Sequence, residues 1–157
     1  MIKTLDPVKK LQPSDFERVG FLFGFDFPDD YKSFMLEFNG GRPIPPAFDY
    51  VGVDGVENST VIRTFYSIDN FEKVEDDIET NILYYWENER LIRSVIPIAV
   101  DIAGNLVCMS ISEVDYGKIS LWDHEFELDL ECHENLAKLA DSFTEFLAIL
   151  YDCVDDL

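Results

Sequence analysis

Residues 95–123, VIPIAVDIAGNLVCMSISEVDYGKISLWD, contain three short apolar runs separated by glycine-bearing turns. Runs rich in Val and Ile between such turns are typical of antiparallel strands that follow one another in a meander. The first two runs are apolar at nearly every position, so we expect both of their faces to be covered. In the third run Ile119 and Leu121 share one face, which places Trp122 on the opposite face. The predicted strands are 95–101, 106–111 and 118–123.

Two helices are predicted upstream of the meander. Ser14-Asp-Phe-Glu17 has the pattern of a capping box and predicts a short helix that ends near Gly20 or Gly24. The second helix begins at Pro28 and is stopped by Asn39-Gly40. Its apolar face has helical spacing and consists of Tyr31, Phe34, Met35 and Phe38.

The remaining segments predict both strands and helices. Residues 42–58 are rich in Pro and Gly and predict a loop with a short strand at Phe48–Val53, and residues 60–66 predict a strand. Asp69-Asn-Phe-Glu72 predicts the start of a helix that runs on towards Asn88, with Phe71, Val74, Ile78 and Ile82 as its buried stripe. A last helix is predicted over 135–151. The sequence therefore predicts one α+β domain over 1–157, with a central antiparallel sheet flanked by helices.

The charge of the chain is unusual for its size. Twelve Lys and Arg residues face 32 Asp and Glu residues, which gives a net charge of −20 at pH 7. Hydrophobic residues still make up 47% of the chain, which favours a folded domain. So negative a field repels nucleic acid and anionic membranes and attracts basic proteins. We therefore expect no direct nucleic-acid partner and no membrane partner.

The cysteines and the apolar runs bear on location. Three cysteines without a Cys-x-x-Cys pair are typical of a reducing compartment. No apolar run approaches the roughly 18 residues of a membrane span, and no signal peptide is recognisable. We expect a cytoplasmic protein.

The sequence contains no motif that predicts catalysis. His124 and His133 lack the spacing of zinc ligands, and the glycines do not form a phosphate-binding loop. No GxSxG elbow is present, and adjacent carboxylates are expected by chance among 32 acidic residues. We expect no enzymatic activity, no cofactor and no metal.

Acidic residues are concentrated in two clusters that are candidates for protein binding. A solvated face is the more common explanation of such clusters, but the net charge favours at least one docking surface for a basic protein. A Trp is more often a core or edge-packing residue, but Trp122 is a further candidate because Trp is enriched in interface hot spots. The first cluster consists of Asp69, Glu72, Glu75, Asp76, Asp77 and Glu79; the second consists of Asp123, Glu125, Glu127, Asp129, Glu131 and Glu134. The predicted partner-binding residues are the first cluster together with Trp122, Asp123 and Glu125.

Three segments resemble the signatures of the SUKH superfamily, which includes bacterial immunity proteins and the fungal Smi/Knr cell-wall regulators. FPDDYKSFMLEFNGG at 27–41 is similar to the family's Leu-Pro-x-x-Tyr-x-x-Phe-Leu … Asn-Gly-Gly opening. The segment from Ile96 to His124 resembles its second signature, and DSFTEFL at 141–147 resembles its third. Phe27 replaces the usual aliphatic residue, and Ile119 stands where an aromatic residue often precedes the Trp.

The resemblance implies an α+β fold without catalytic residues. For bacterial members it implies an immunity protein that binds and neutralises a basic toxin, often a nuclease, of a polymorphic or contact-dependent system. The fungal relatives imply the alternative of a regulatory or scaffold adaptor that binds another protein.

Overall fold

A six-stranded antiparallel sheet forms the centre of this computed structural model, which describes residues 2–5 and 8–153. Its strands lie in space in the order in which they follow one another along the chain, from β3 to β8. A second sheet pairs β1 with β2. The strands are β1 (Lys3–Leu5), β2 (Arg42–Ile44), β3 (Ala47–Val51), β4 (Glu57–Phe65), β5 (Val95–Asp101), β6 (Leu106–Ser110), β7 (Ile119–Trp122) and β8 (Ala137–Ala140). The predicted α+β class and the meander are confirmed.

Helices pack on both faces of this sheet. They are α1 (Pro13–Phe23), α2 (Asp29–Phe38), α3 (Ile78–Glu87) and α4 (Phe143–Ala148), and short 3₁₀ helices span Val74–Asp76 and His124–Phe126. Strand register places Phe65 on one face, where its ring packs against Phe34 of α2 and Phe143 of α4. Trp122 lies on the other face and packs against Tyr85 of α3. Every residue of β5 and β6 is buried because both faces are covered.

Helix α1 begins two residues earlier than its sequence predicts. Gln12 is the N-cap residue, and its backbone N–H donates to the carboxylate of Asp15 at 2.8 Å. The predicted capping box at 14–17 was therefore displaced, because Pro13 is well suited to the first helical turn. Gly24 ends the helix with a φ of 82°, a left-handed conformation that glycine adopts without strain. For helix α2 the predicted start at Pro28 and stop at Asn39-Gly40 are confirmed, since Pro28 and Asn39 are its cap residues.

Helix α3 begins at Ile78, so the predicted start near Asp69 was wrong. Asp77 is the true N-cap, and its carboxylate accepts a hydrogen bond from the Thr80 N–H at 3.1 Å. Phe71 is 81% exposed, whereas Ile78 and Ile82 of the predicted stripe are buried. Both acidic positions satisfy the sequence pattern of an N-cap, and the structure uses the later one.

The predicted last helix was also wrong. Its first part is β8, which pairs with β7 and so gives that strand its second neighbour. Its second part is α4, where the Ser142 hydroxyl accepts a hydrogen bond from the Glu145 N–H at 3.1 Å. The strand predicted at Phe48–Val53 begins and ends earlier, as β3.

Candidate protein-binding surface

The topology gathers three connections at one end of the central sheet. In an antiparallel sheet, alternate connections lie at the same end, so the β3–β4, β5–β6 and β7–β8 connections are neighbours. None of the three contains Lys or Arg. We call them, residues 52–56, 102–105 and 123–136, the acidic end. Its carboxylates are Asp54, Asp123, Glu125, Glu127, Asp129, Glu131 and Glu134.

Tyr50 shows that carboxylates from separate connections act on one point. Burial raises the pKa of its phenol, and the carboxylates of Asp123, Asp101, Glu125 and Asp54 raise it further. A negative potential disfavours the phenolate, so the shift is the expected response to converging negative charge. Carboxylates of the first and third connections therefore act on the same side chain.

Arg90 links the longest connection, residues 123–136, to α3 and β7 of the folded domain. Its guanidinium binds the carboxylate of Glu127 through two hydrogen bonds, Nε to Oε2 at 2.5 Å and Nη2 to Oε1 at 2.8 Å. The same group lies over the rings of Tyr85 and Trp122, at 5.0 and 5.3 Å from their centroids. A planar cation that is both bidentate and stacked has little freedom to move, so Glu127 is held in place. The role of Arg90 was not predicted from the sequence, because its partner Glu127 is distant along the chain.

Hydrogen bonds within the third connection, and one between the second and third connections, order further parts of the acidic end. Asn135 Nδ2 donates to the backbone carbonyl of Asp123 at 2.7 Å, and the Asp123 carboxylate accepts from the Glu125 N–H at 2.9 Å. His124 Nδ1 lies 2.7 Å from Asn105 Oδ1, which joins the second connection to the third. A surface ordered in this way loses less conformational entropy when a partner binds.

Apolar side chains are exposed among the carboxylates. Leu128 is 98% exposed and Ile102 is 68% exposed. Val51 and Val56, on either side of the β3–β4 turn, are also exposed. Apolar groups within a charged rim are typical of protein-binding surfaces.

The first acidic cluster is largely paired with cations inside the molecule. Asp69 contacts Lys9 at 2.6 Å and Arg18 at 2.9 Å, and Arg18 also contacts Glu79 at 2.6 Å. Asp76 pairs with Arg63 at 2.8 Å. These ion pairs connect α1 to α3 and β4 to the 3₁₀ helix that precedes α3, and they offset much of the charge of the three carboxylates.

The other members of that cluster differ in exposure. Asp76 and Asp77 are buried, and Asp77 caps α3, so the prediction that both contact a partner does not agree with their position. Glu72 and Glu75 are exposed and have no ion pair within the described part of the chain. Only these two are placed to meet a partner through an uncompensated charge.

Trp122 does not lie on the surface, contrary to its prediction as a partner contact. It is 1% exposed, beneath Tyr85 and Arg90. Asp123 and Glu125, the other two residues predicted beside it, belong to the acidic end, and Glu125 is exposed. Trp122 therefore supports the acidic end from below.

Within residues 2–5 and 8–153, no three side chains of His, Cys, Asp or Glu converge as metal ligands. No helix in those ranges combines the length and the apolar character that crossing a bilayer requires.

Comparison with known proteins places the chain in a family. It is 26% identical over 144 residues to the SPbeta prophage-derived uncharacterized protein YokK of Bacillus subtilis (strain 168), an alignment that covers 82% of this chain and 69% of that protein. The family model described as SMI1 / KNR4 family (SUKH-1) matches residues 10–149, which include all six strands of the central sheet and the whole acidic end. The chain therefore belongs to the SMI1 / KNR4 family (SUKH-1).

Proposed function

We propose that this protein is an immunity protein that binds a basic toxin in the cytoplasm and neutralises it without catalysis. The observation that carries the proposal is the acidic end, a surface of ordered carboxylates with no Lys or Arg in its three connections. Membership of the family supports the proposal, because the family includes immunity proteins.

A nuclease is the class of toxin that best fits an acidic binding surface. A nuclease presents Lys and Arg to the phosphates of its substrate, so an acidic protein is able to occupy the same surface. Electrostatic attraction raises association rates towards about 10⁸ M⁻¹s⁻¹ at low salt. Fast association suits a protein that must capture its target before the target reaches nucleic acid.

Rescue of growth tests the proposal. The protein is co-expressed with each toxin encoded by neighbouring genes, and we expect one toxin to be neutralised and to bind the purified protein. Binding should weaken as salt is added, because the contacts are ionic. Failure of rescue with every neighbouring toxin contradicts the proposal. Capture of a purified protein that is not a toxin would instead support the adaptor function.

Matched variants locate the binding surface. The triple variant Asp54→Asn, Glu125→Gln, Glu131→Gln removes three charges from the acidic end. The control variant Glu17→Gln, Glu37→Gln, Glu113→Gln removes three charges from exposed residues outside both acidic clusters. Both variants change the net charge from −20 by the same amount. We expect only the first to lose affinity, by about 1 kcal/mol or more; equal losses would show that the total charge alone matters.

A further inference from the structure

The outer edge of β3 has backbone groups that lie free for pairing. Ala47 does not bond to β4; its N–H and C=O pair instead with Tyr151, at 3.0 and 2.9 Å. Gly52 does bond towards β4, through its N–H to Val56 at 2.9 Å. Since bonded and non-bonded positions alternate along an antiparallel pair, the N–H and C=O of Asp49 and Val51 point away from β4.

Tyr151 shows that this edge can bond to a further segment of the chain, and it does so at one position only within the described residues. Its bridge to Ala47 is antiparallel, so the residues before it would lie opposite Asp49 if they were extended. They instead form the end of α4, and the chain leaves the edge. Within the described ranges, no backbone hydrogen bond reaches the outer groups of Asp49 or Val51. The edge therefore offers two donors and two acceptors at adjacent pairing positions.

A groove of about 710 Å³ runs beside this edge, and its polar and apolar side chains lie on different sides. Register places Asp49 opposite Ser59 and Val51 opposite Glu57, so these four side chains share the outer face. Tyr50 packs against the hydrophobic core. Leu139, which lies on β8 at the other side of the groove, also packs against it. Acidic groups thus line the outer face of the groove, and apolar groups line its inner side.

The β8 side of the groove does not neutralise the carboxylates on the β3 side. Lys138 lies there, but its ammonium group pairs with Asp141 at 2.5 Å. Asp49 accepts hydrogen bonds from the hydroxyls of Tyr151 at 2.5 Å and Ser59 at 2.7 Å, which lower the pKa of its carboxyl. Asp49 is therefore anionic at neutral pH and holds Tyr151 at the entrance to the free positions.

We propose that the groove beside β3 binds an extended segment of the basic partner by strand addition, with basic and apolar residues alternating along that segment. The proposal rests on the proposed function, since it names the part of the partner that is recognised. Main-chain hydrogen bonds to Asp49 and Val51 supply the pairing. Because neighbouring side chains of a strand point to opposite faces, basic residues meet Asp49 and Glu57 while apolar residues meet Tyr50 and Leu139.

A second copy of the chain is a poorer occupant. Pairing of two β3 edges would bring Asp49 of one copy close to Asp49 of the other, and like charges across a strand pair are destabilising. Two chains of charge −20 also repel each other before contact. An edge that carries carboxylates resists self-association and remains open to a cationic strand.

The test uses the full chain and a capped peptide of alternating Lys and Val, about eight residues long. Amide hydrogen exchange is followed by NMR, residue by residue. In the free protein, we expect fast exchange at Asp49 and Val51 and slow exchange at Phe48 and Tyr50, whose amides bond to β4. Saturating peptide should slow exchange at Asp49 and Val51 by about tenfold or more and change Phe48 and Tyr50 little. A peptide of alternating Glu and Val should have no such effect.

Two variants separate strand addition from general attraction. Val51→Pro removes the outward N–H and leaves the bonds to β4 in place, so we expect peptide affinity to fall about tenfold. Val51→Ala keeps the N–H and should bind as the wild type does. Equal binding by both variants, equal binding of the Glu peptide, or unchanged exchange at Asp49 overturns the proposal. If Val51→Pro does not fold, the wild-type exchange pattern decides alone.

The peptide experiment needs no toxin, so the two proposals fail separately. Growth rescue without protection of Asp49 and Val51 by the Lys–Val peptide refutes the groove and leaves the immunity function standing. Protection without rescue by any neighbouring toxin refutes the immunity function and leaves a strand-binding groove.

Discussion

Tyr31 carries the one polar side-chain atom in the described ranges that is buried without a hydrogen-bond partner. Its ring is well accommodated, stacked on Phe27 and edge-on to Phe143, between α2 and α4. Burial raises the pKa of its hydroxyl, since no neighbour stabilises the phenolate. A substitution at this position can therefore remove the unpaired hydroxyl group and keep the packing of the ring.

Replacing Tyr31 by Phe should stabilise the protein. The ring contacts remain and the unpaired hydroxyl is removed, so we expect the free energy of unfolding to rise by about 1 kcal/mol. Urea unfolding at pH 7 measures the change. Tyr116→Phe is the control, because the Tyr116 hydroxyl donates to the carbonyl of Asp26 at 2.6 Å and its removal should stabilise nothing. A less stable Tyr31→Phe protein would show that the hydroxyl is satisfied.

At the scale of single elements, helix α1 depends on one carboxylate at its start. The N–H of Gln12 donates to Asp15, and this hydrogen bond is the main reason why the pKa of Asp15 lies below its ordinary value of 3.8. Lys9 and Arg18, each 3.7 Å from the carboxylate, lower it further. Ionised Asp15 therefore stabilises the folded state more than the unfolded state.

This stabilisation should disappear in acid. A carboxyl group with a lowered folded pKa contributes its full stability above 3.8 and loses it as the pH falls through the folded value. We expect Asp15→Asn to be about 1 kcal/mol less stable than the wild type at pH 7, and the gap to narrow below pH 3.8. Urea unfolding at several pH values measures the gap. A gap for Asp15→Asn that stays constant from pH 7 to below pH 3.8 would show that the charge of Asp15 does not stabilise the fold.

The elements that could be predicted from sequence are those whose pattern is local. The runs that became β5 and β6 are apolar throughout, and α2 has an apolar face between clear start and stop signals. Strand β8 could not be predicted, because Leu136-Ala-Lys-Leu-Ala140 is a good helical sequence and becomes a strand only by pairing with β7. The start of α3 was ambiguous between Asp69 and Asp77, since each has the residue type of an N-cap.

The candidate site was predictable only in part, for a related reason. Charge and clustering are visible in the sequence, and so Asp123 and Glu125 could be identified. Which carboxylates are neutralised depends on contacts between distant residues, such as Arg18 with Asp69 and Arg90 with Glu127. The edge of β3 is not visible either, because an unpaired backbone group has no signature in a sequence.

At the scale of the whole molecule, the excess of negative charge opposes folding. A compact chain of charge −20 holds its carboxylates closer together than an unfolded one does, and the resulting repulsion is long-range. Salt reduces this repulsion, because the screening length falls from about 30 Å at 0.01 M to about 3 Å at 1 M.

Added salt should therefore stabilise the protein. We expect the urea midpoint at pH 7 to rise between about 0.01 and 0.5 M NaCl, by an amount worth about 1 kcal/mol or more. The ion pairs of Lys9, Arg18, Arg63 and Arg90 act in the opposite sense, since screening weakens them. A midpoint that falls with salt would show that these pairs outweigh the repulsion.

The uneven placement of the cations has a consequence for how the molecule moves before it touches anything. Lys9, Arg42, Arg63 and Lys73 line one cavity near the carboxyl end of β4, together with three acidic residues, Asp69, Glu72 and Asp76. The acidic end, at the other end of that strand, has no Lys or Arg to offset its carboxylates. Positive and negative centres of charge are thus displaced along the strands, and the protein carries a permanent electric moment. In the field of a cationic body such a moment exerts a torque, which turns the carboxylates forward while the two molecules are still separated by solvent.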